Sequence, residues 1–247
     1  MEKSYNNYQG KLLLAEVRDN QDFAHPGEEE AIELLLKQLS FRSYSTILEA
    51  GAGLGATLDI MAKSLRCHEV VGTDIDSTSV SHARSKYPNY KWICCDTQSL
   101  SHHVTTGYDL IYLFNAFYCI PDQKKALLEI NKLLKFSGVL AISDYYDRRT
   151  SISQHFLNPF ATAMFKPLGV KIISDIKQQF NVLKELDISD YYAQWYSQFL
   201  KKMLDKRPII IKKFGTKLFD EFFNKYDLML EDILSKKLGG IIIIAEK

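Results

Sequence analysis

From Thr46 to Thr57 the chain reads Thr-Ile-Leu-Glu-Ala-Gly-Ala-Gly-Leu-Gly-Ala-Thr, and no other stretch limits the fold as tightly. An apolar run, Ile47-Leu48, leads into the acid Glu49. Glycines follow at alternate positions, Gly51, Gly53 and Gly55, before a segment from Thr57 to Leu65 that suits a helix. The expected local structure is a strand, a tight turn and a helix start. Glycine suits such a turn because the backbone bends sharply there and a ligand approaches with no Cβ in the way. The free N–H groups of the turn and the helix N-terminus face whatever is bound, and a nucleotide-like group is the natural occupant. Two patterns share these letters. Gly51, Gly53 and Ala56 satisfy the G-x-G-x-x-G/A signature of dinucleotide folds. The run Glu49-x-Gly51-x-Gly53-x-Gly55 is a second pattern, and what separates the two lies downstream.

The rest of the chain to Asp144 alternates strands with helices. Glu28 to Leu39 reads as an amphipathic helix with acids in its first turn. Strands are expected at Glu69–Asp74, Lys91–Asp96, Tyr108–Phe114 and Gly138–Ser143, with helices at Ser77–Lys86 and Pro121–Lys135. Tyr108–Phe114 is apolar on both faces, as a parallel strand covered by helices must be. Such β-α alternation with short connections indicates a doubly wound α/β sheet. Beyond Asp144 the rhythm changes. Thr150 to Gln179 reads as mixed and helical with breaks at Pro159 and Pro167, Phe180 to Leu186 as a strand, and Ser189 to Leu204 as an aromatic-rich helix. Phe214 to Lys237 reads as one long helix, and Gly239-Gly240 as a turn into a last strand, Ile241 to Glu246. We read one domain: a cap and first helix over 1–43, a ligand-binding core over 44–144, a lid insertion over 145–213 and a closing helix and strand over 214–247.

Composition narrows the function. With 46% hydrophobic and 25% charged residues the chain has an ordinary soluble composition, and a net charge of +1 gives no general drive towards nucleic acid or anionic membrane. No signal peptide or bilayer-length apolar run is visible. Cys67, Cys94, Cys95 and Cys119 lack C-x-x-C spacing, so free thiols in a reducing cytoplasm are expected, and no metal site.

In a parallel sheet, ligands sit beyond the carboxyl ends of the strands. Asp74 stands at such an end, 19 positions beyond Gly55, where a carboxylate can accept both hydroxyl hydrogens of a ribose. Asp76 fits better as a cap for the helix near Ser77. Asp96, closing the third strand, can reach an adenine amino group, with the Thr97 N–H available to a ring nitrogen. That pair lies outside the dinucleotide signature.

Taken together, Ile47–Gly55, Val71-Gly72-Thr73-Asp74-Ile75-Asp76, Cys95-Asp96-Thr97, Tyr108–Tyr112 and Leu133–Leu140 resemble the motifs of class I S-adenosylmethionine-dependent methyltransferases, over about residues 44 to 144. The resemblance implies a Rossmann-like, doubly wound sheet of seven mostly parallel strands, with an antiparallel C-terminal strand beside strand five and a helical lid inserted after it. It implies that Glu49 and the glycines cradle the methionine portion of S-adenosylmethionine and that Asp74 holds the ribose. Ile75 would pack on the adenine, Asp96 and Thr97 would read its edge, and Asn115 would lie near the methyl group.

The flanks resemble small-molecule enzymes of the phosphoethanolamine and glycine/sarcosine type, through His25-Pro26-Gly27, Ile142-Ser143-Asp144-Tyr145 and Leu238-Gly239-Gly240. In that group an N-terminal segment and the insertion close over the acceptor. Tyr5, Tyr8, Tyr145, Tyr146, Tyr191, Tyr192, Trp195 and Tyr196 fall in the matching segments, where they suit a cationic amine, a flat apolar acceptor or simply a core. Cys119 stands where that group carries a histidine, and Asn115 where an aspartate is usual, which turns the expectation from phosphoethanolamine towards a different amine, carboxylate or ring compound. Tyr8, His25, Asp144 and Tyr145 are the candidate bases, with Tyr8 and Tyr145 the expected catalytic pair. An NAD(P)-dependent oxidoreductase is the main alternative, but no Tyr-x-x-x-Lys spacing stands out beyond the fifth strand. The Asn/Asp-Pro-Pro-Tyr/Phe motif of nucleic-acid methyltransferases is replaced by Phe114-Asn115-Ala116-Phe117.

Overall fold

The computed structural model describes residues 8–19, 22–23, 25–105, 107–150, 156 and 165–247. Parallel strands β1 (Thr46–Ala50), β2 (Glu69–Asp74), β3 (Lys91–Cys94), β4 (Tyr108–Phe114) and β5 (Leu134–Asp147) make up most of one sheet. Strand β7 (Leu238–Glu246) lies antiparallel to both β5 and the edge strand β6 (Asn181–Asp187). The order β3-β2-β1-β4-β5-β7-β6 is the expected seven-stranded, doubly wound sheet with its C-terminal strand inserted beside strand five.

Successive side chains of a strand point to opposite faces. Strand β4 therefore sends Leu110, Tyr112 and Phe114 into one core and Ile111 and Leu113 into the other. The first core is covered by α1 (Tyr8–Val17), α2 (Glu28–Leu39), α3 (Ala56–Leu65), α4 (Ser77–Lys86), α7 (Ser189–Asp205) and α9 (Thr216–Leu234), through residues such as Leu13, Ile32, Leu58, Val80, Tyr196 and Phe222. The second is covered by α5 (Gln123–Leu133) and α6 (Val170–Gln179), through Leu127, Ile130, Ile173 and Ile176. Each such aliphatic side chain, fully buried, contributes roughly 1.5–3 kcal/mol. No helix among the described residues is long and apolar enough to cross a membrane.

Four boundaries differ from the sequence reading, each for a local reason. Helix α5 begins at Gln123, not Pro121, because the Asp122 side chain caps it by accepting from the Lys125 N–H. The long helix expected over Phe214–Lys237 is α9 from Thr216 to Leu234, and Gly215 (φ 88°) separates it from a preceding helix, α8 (Arg207–Phe214). Strand β5 runs on from Ser143 to Asp147 because β7 pairs with it residue by residue, out to Asp147 opposite Leu238. The break expected at Pro159 lies outside the described residues, and α6 begins only at Val170.

A further difference is Gly239-Gly240, which forms no turn and sits inside β7. Small residues are required there because α7 lies directly on the strand: a Cβ on Gly240 would come within 2.8 Å of the Tyr192 ring, and one on Gly239 within 2.1 Å of Ser189 Oγ. Overpacking of this kind costs about 1–3 kcal/mol. Gly240→Val should therefore lower the melting temperature by several degrees, roughly 2–4 °C per kcal/mol for a chain of this size. An unchanged melt would show that α7 does not press on β7.

Candidate active site

At the carboxyl edge of the sheet the chain leaves β1 through the three glycines, all with positive φ (84°, 55° and 99° at Gly51, Gly53 and Gly55). The N–H groups of Gly51 and Ala52 both donate to Thr73 O at 2.8 Å, which fastens the turn to β2. The glycines do different work. A Cβ on Gly51 would strike the Ala116 Cβ at 2.4 Å and one on Gly55 the Trp92 ring at 2.8 Å, whereas one on Gly53 would project into open space. Asp74, at the end of β2, accepts from the Gly53 N–H at 2.8 Å and from the Asp76 N–H at 2.9 Å. Asp76 caps α4, accepting from Thr78 N–H, as its position suggested. Ile75 is 72% exposed, an isoleucine held out at the rim of the cleft.

Glu49 is buried within the sheet edge, and its carboxyl accepts from the Tyr112 hydroxyl at 3.1 Å. Burial raises its pKa to about 8, the Tyr112 hydrogen bond opposing and nearby Asp74 reinforcing the shift. Asp96 follows β3 and caps the 3₁₀ turn that starts at Thr97, taking the Gln98 N–H on one oxygen and the Gln98 side-chain amide on both.

After β4, Asn115 adopts φ 47° and its N–H donates to Ser143 O. Its side-chain oxygen accepts from the Tyr192 hydroxyl at 3.1 Å, while its buried Nδ2 has no hydrogen-bond partner among the described residues. The loop carrying it is held from below by Asp144, fully buried at the end of β5. One oxygen accepts from Phe117 and Tyr118 N–H and the other from its neighbour Tyr145 N–H. Burial raises the Asp144 pKa to about 7, with those backbone donors opposing. Cys119, on the same loop, is pushed up to about 12 by burial.

The four candidate bases are not brought together. Burial pushes His25 down to about 3, and its ring is engaged by Thr57 Oγ1 at 2.9 Å and Pro26 O at 3.1 Å. That makes it a neutral turn residue, not a base. The Tyr145 hydroxyl is buried against that of Tyr196 and its pKa rises well above the usual phenol value, chiefly through burial. Tyr8 OH lies 3.5 Å from His82 Nδ1 on α4, and Asp144 has its oxygens filled by backbone donors. The aromatic segment divides: Tyr192, Tyr196 and Phe199 are buried core, whereas Tyr191 and Trp195 are half-buried. Tyr145 packs edge-on against Tyr118 and Tyr192, with ring centroids 5.0 and 5.7 Å away. Tyr5 lies outside the described residues.

Residues 48–140 match the family model of the methyltransferase domain. That stretch, from β1 into β5, is similar to methyltransferase domains. Phosphoethanolamine N-methyltransferase 1 of Arabidopsis thaliana is 23% identical over 250 residues, an alignment spanning 96% of this chain and 49% of that protein. Phosphoethanolamine N-methyltransferase 2 of Haemonchus contortus, solved with phosphomonomethylethanolamine and S-adenosylhomocysteine, superposes with a TM-score of 0.85 at 15% identity, covering 100% of this chain and 59% of that one. The cyclopropane synthase MmaA2 of Mycobacterium tuberculosis gives a TM-score of 0.76 at 15% identity, over 89% of this chain and 84% of that one. The chain thus spans about half the length of the curated plant relative, and the likeness to the solved structures is one of fold. The family match decides between the two patterns in the glycine turn in favour of the acid-and-glycine one.

Three cationic residues near the site lie outside the motifs read in the sequence. Arg18 is buried, donates to the carbonyls of Leu14, Phe23 and His25, meets Glu28 at 3.1 Å and stacks over Phe199 at 4.7 Å. Lys225, buried on α9, has its pKa lowered to about 7 by burial, with Cys119 within electrostatic range opposing the shift. Lys11 reaches Asp74 from α1. Only the isolated basic residue at the edge of the apolar run Leu12–Leu14 hinted at any of them.

Because the folded protein favours the protonated form of Glu49, that group's contribution to stability is complete below the unfolded carboxyl value of 4.5, falls as pH rises and is gone above about 8. Glu49→Gln keeps a neutral side chain at every pH. Its melting temperature relative to wild type, without ligand, should climb between pH 5 and pH 8; a constant difference would contradict the burial of an ionisable Glu49.

Proposed function

We propose that this methyltransferase transfers a methyl group from S-adenosylmethionine to a small acceptor bearing an acidic group, yielding S-adenosylhomocysteine. The observation that carries the donor site is the glycine turn tied to Asp74, with open space over Gly53 where any Cβ would fill the cradle. In this reading Glu49 and Gly51, Gly53 and Gly55 receive the methionine portion. Asp74 accepts from the ribose hydroxyls, and exposed Ile75 packs against the adenine face. Asp96 and the Thr97 N–H meet its edge: a carboxylate has about four lone-pair sites, so bonds from Gln98 leave room for one more. The sulfonium supplies an activated methyl group, so the protein contributes chiefly orientation and exclusion of water.

The acceptor class rests on the loop after β4. The Asn115 amide holds a buried donor with no hydrogen-bond partner among the described residues. An anionic group would accept from that amide. None of Tyr8, His25, Asp144 and Tyr145 is arranged to remove a proton, which suits a nucleophile that arrives without one, such as a carboxylate or phosphate oxygen. Tyr8 and Tyr145 enter the proposal as residues that seat the acceptor. Four free cysteines, Cys94 exposed beside Cys95, suit a reducing cytoplasmic setting.

Incubation with S-adenosylmethionine and a panel of small carboxylates, phosphomonoesters and amines without acidic groups, read as S-adenosylhomocysteine formation, tests this. Turnover is expected with a carboxylate or phosphomonoester. Asn115→Ala should raise the acceptor KM about fivefold or more, the worth of one hydrogen bond. Turnover confined to simple amines, or an unaltered acceptor KM, would overturn the acceptor class.

A further inference from the structure

Asp74 has a third partner besides the two backbone N–H groups. Helix α1 places the Lys11 ammonium 3.4 Å from one Asp74 oxygen and 3.5 Å from the other, so that it straddles the carboxylate. The same ammonium donates to Ser79 Oγ at 2.9 Å and stands 3.8 Å from Asp76 Oδ2. Lys11 is 9% exposed and Asp74 8%, so each would carry a desolvated charge without the other. A cation astride both oxygens of a carboxylate occupies the place that two neighbouring hydroxyls of a ribose require.

We propose that Lys11 is a built-in competitor for the ribose. It neutralises Asp74 while no nucleoside is bound, and it must be displaced when the diol arrives. The proposal rests on the ribose role given to Asp74 above. Displacement has a local destination, since Ser79 and Asp76 already flank the ammonium and Asp76 offers a second carboxylate. The opposite end of α1 is fastened to the lid helices. Glu16 accepts from Lys213 at 2.6 Å and, through its carbonyl, from Lys206 at 2.9 Å, while Asp19 meets Lys202 at 2.9 Å. One ten-residue helix therefore spans the donor carboxylate and the lid, so that release of Lys11 couples donor binding to the seating of α7 and α8.

Calorimetric titration with S-adenosylhomocysteine separates this role from a structural one. Lys11→Met and Lys11→Gln should both bind the ligand about threefold more tightly or better, because a larger share of molecules then presents an open Asp74. Adenosine should gain in the same way, and 2′,3′-dideoxyadenosine, which lacks the diol, should gain nothing. Equal or weaker binding by the folded Lys11 variants would overturn the proposal, as would an equal gain for the dideoxy ligand. Asp74→Asn tests the underlying reading separately. Loss of binding there without gain in the Lys11 variants removes only the competitor, whereas wild-type binding by Asp74→Asn removes the ribose site itself.

Discussion

The bond from the Gly53 N–H to the Asp74 carboxylate joins the two halves of the proposed donor site. One partner belongs to the turn that leaves β1, the other to the last residue of the neighbouring β2. Without that link the turn would be a flexible run of alternating glycines, expensive to order on binding. With it, and with Thr73 O holding the N–H groups of Gly51 and Ala52, the cradle stands ready before any ligand arrives. The price is a buried carboxylate. Asp76 N–H and the Lys11 ammonium supply the remaining compensation, which makes the N-terminal helix part of the donor site.

The acceptor side follows the same logic, with a buried acid beneath a loop. Asp144 receives backbone donors from the segment after β4 and so holds the loop in which Asn115 takes a left-handed conformation. The aromatic side chains around it hold the shape. Tyr192 is wedged between Asn115 and the glycines of β7, and Arg18 lashes α1 and the His25 turn to α7. The buried polar groups thus sit where separate elements meet, while the apolar cores on the two sheet faces supply the bulk stability.

The sequence made the sheet legible because parallel strands are short apolar runs ending in acids, and the glycine turn is a local signal. The residues proposed for the donor stand at local signals of the same kind: Glu49 and Asp74 lie at the carboxyl ends of β1 and β2, and Asp96 two positions beyond β3. The lid could not be read so well. Gly239 and Gly240 look like a turn in isolation, and only the Tyr192 and Ser189 side chains pressing on them explain two glycines within a strand. His25 resembles a base until Thr57 and Pro26 are seen to occupy its ring. Lys11 is distant in sequence from Asp74, and Lys225 from the loop after β4, so no spacing rule points to them.

The central claim is that the carboxyl edge of this sheet grips an adenosyl group through Asp74. A crystal structure of the protein with S-adenosylhomocysteine tests it most directly. The account predicts both ribose hydroxyls within hydrogen-bond distance of the Asp74 carboxylate, the adenine against Ile75 and the Lys11 ammonium moved off those oxygens. A nucleoside bound elsewhere, or Asp74 turned away from the ribose, would contradict it.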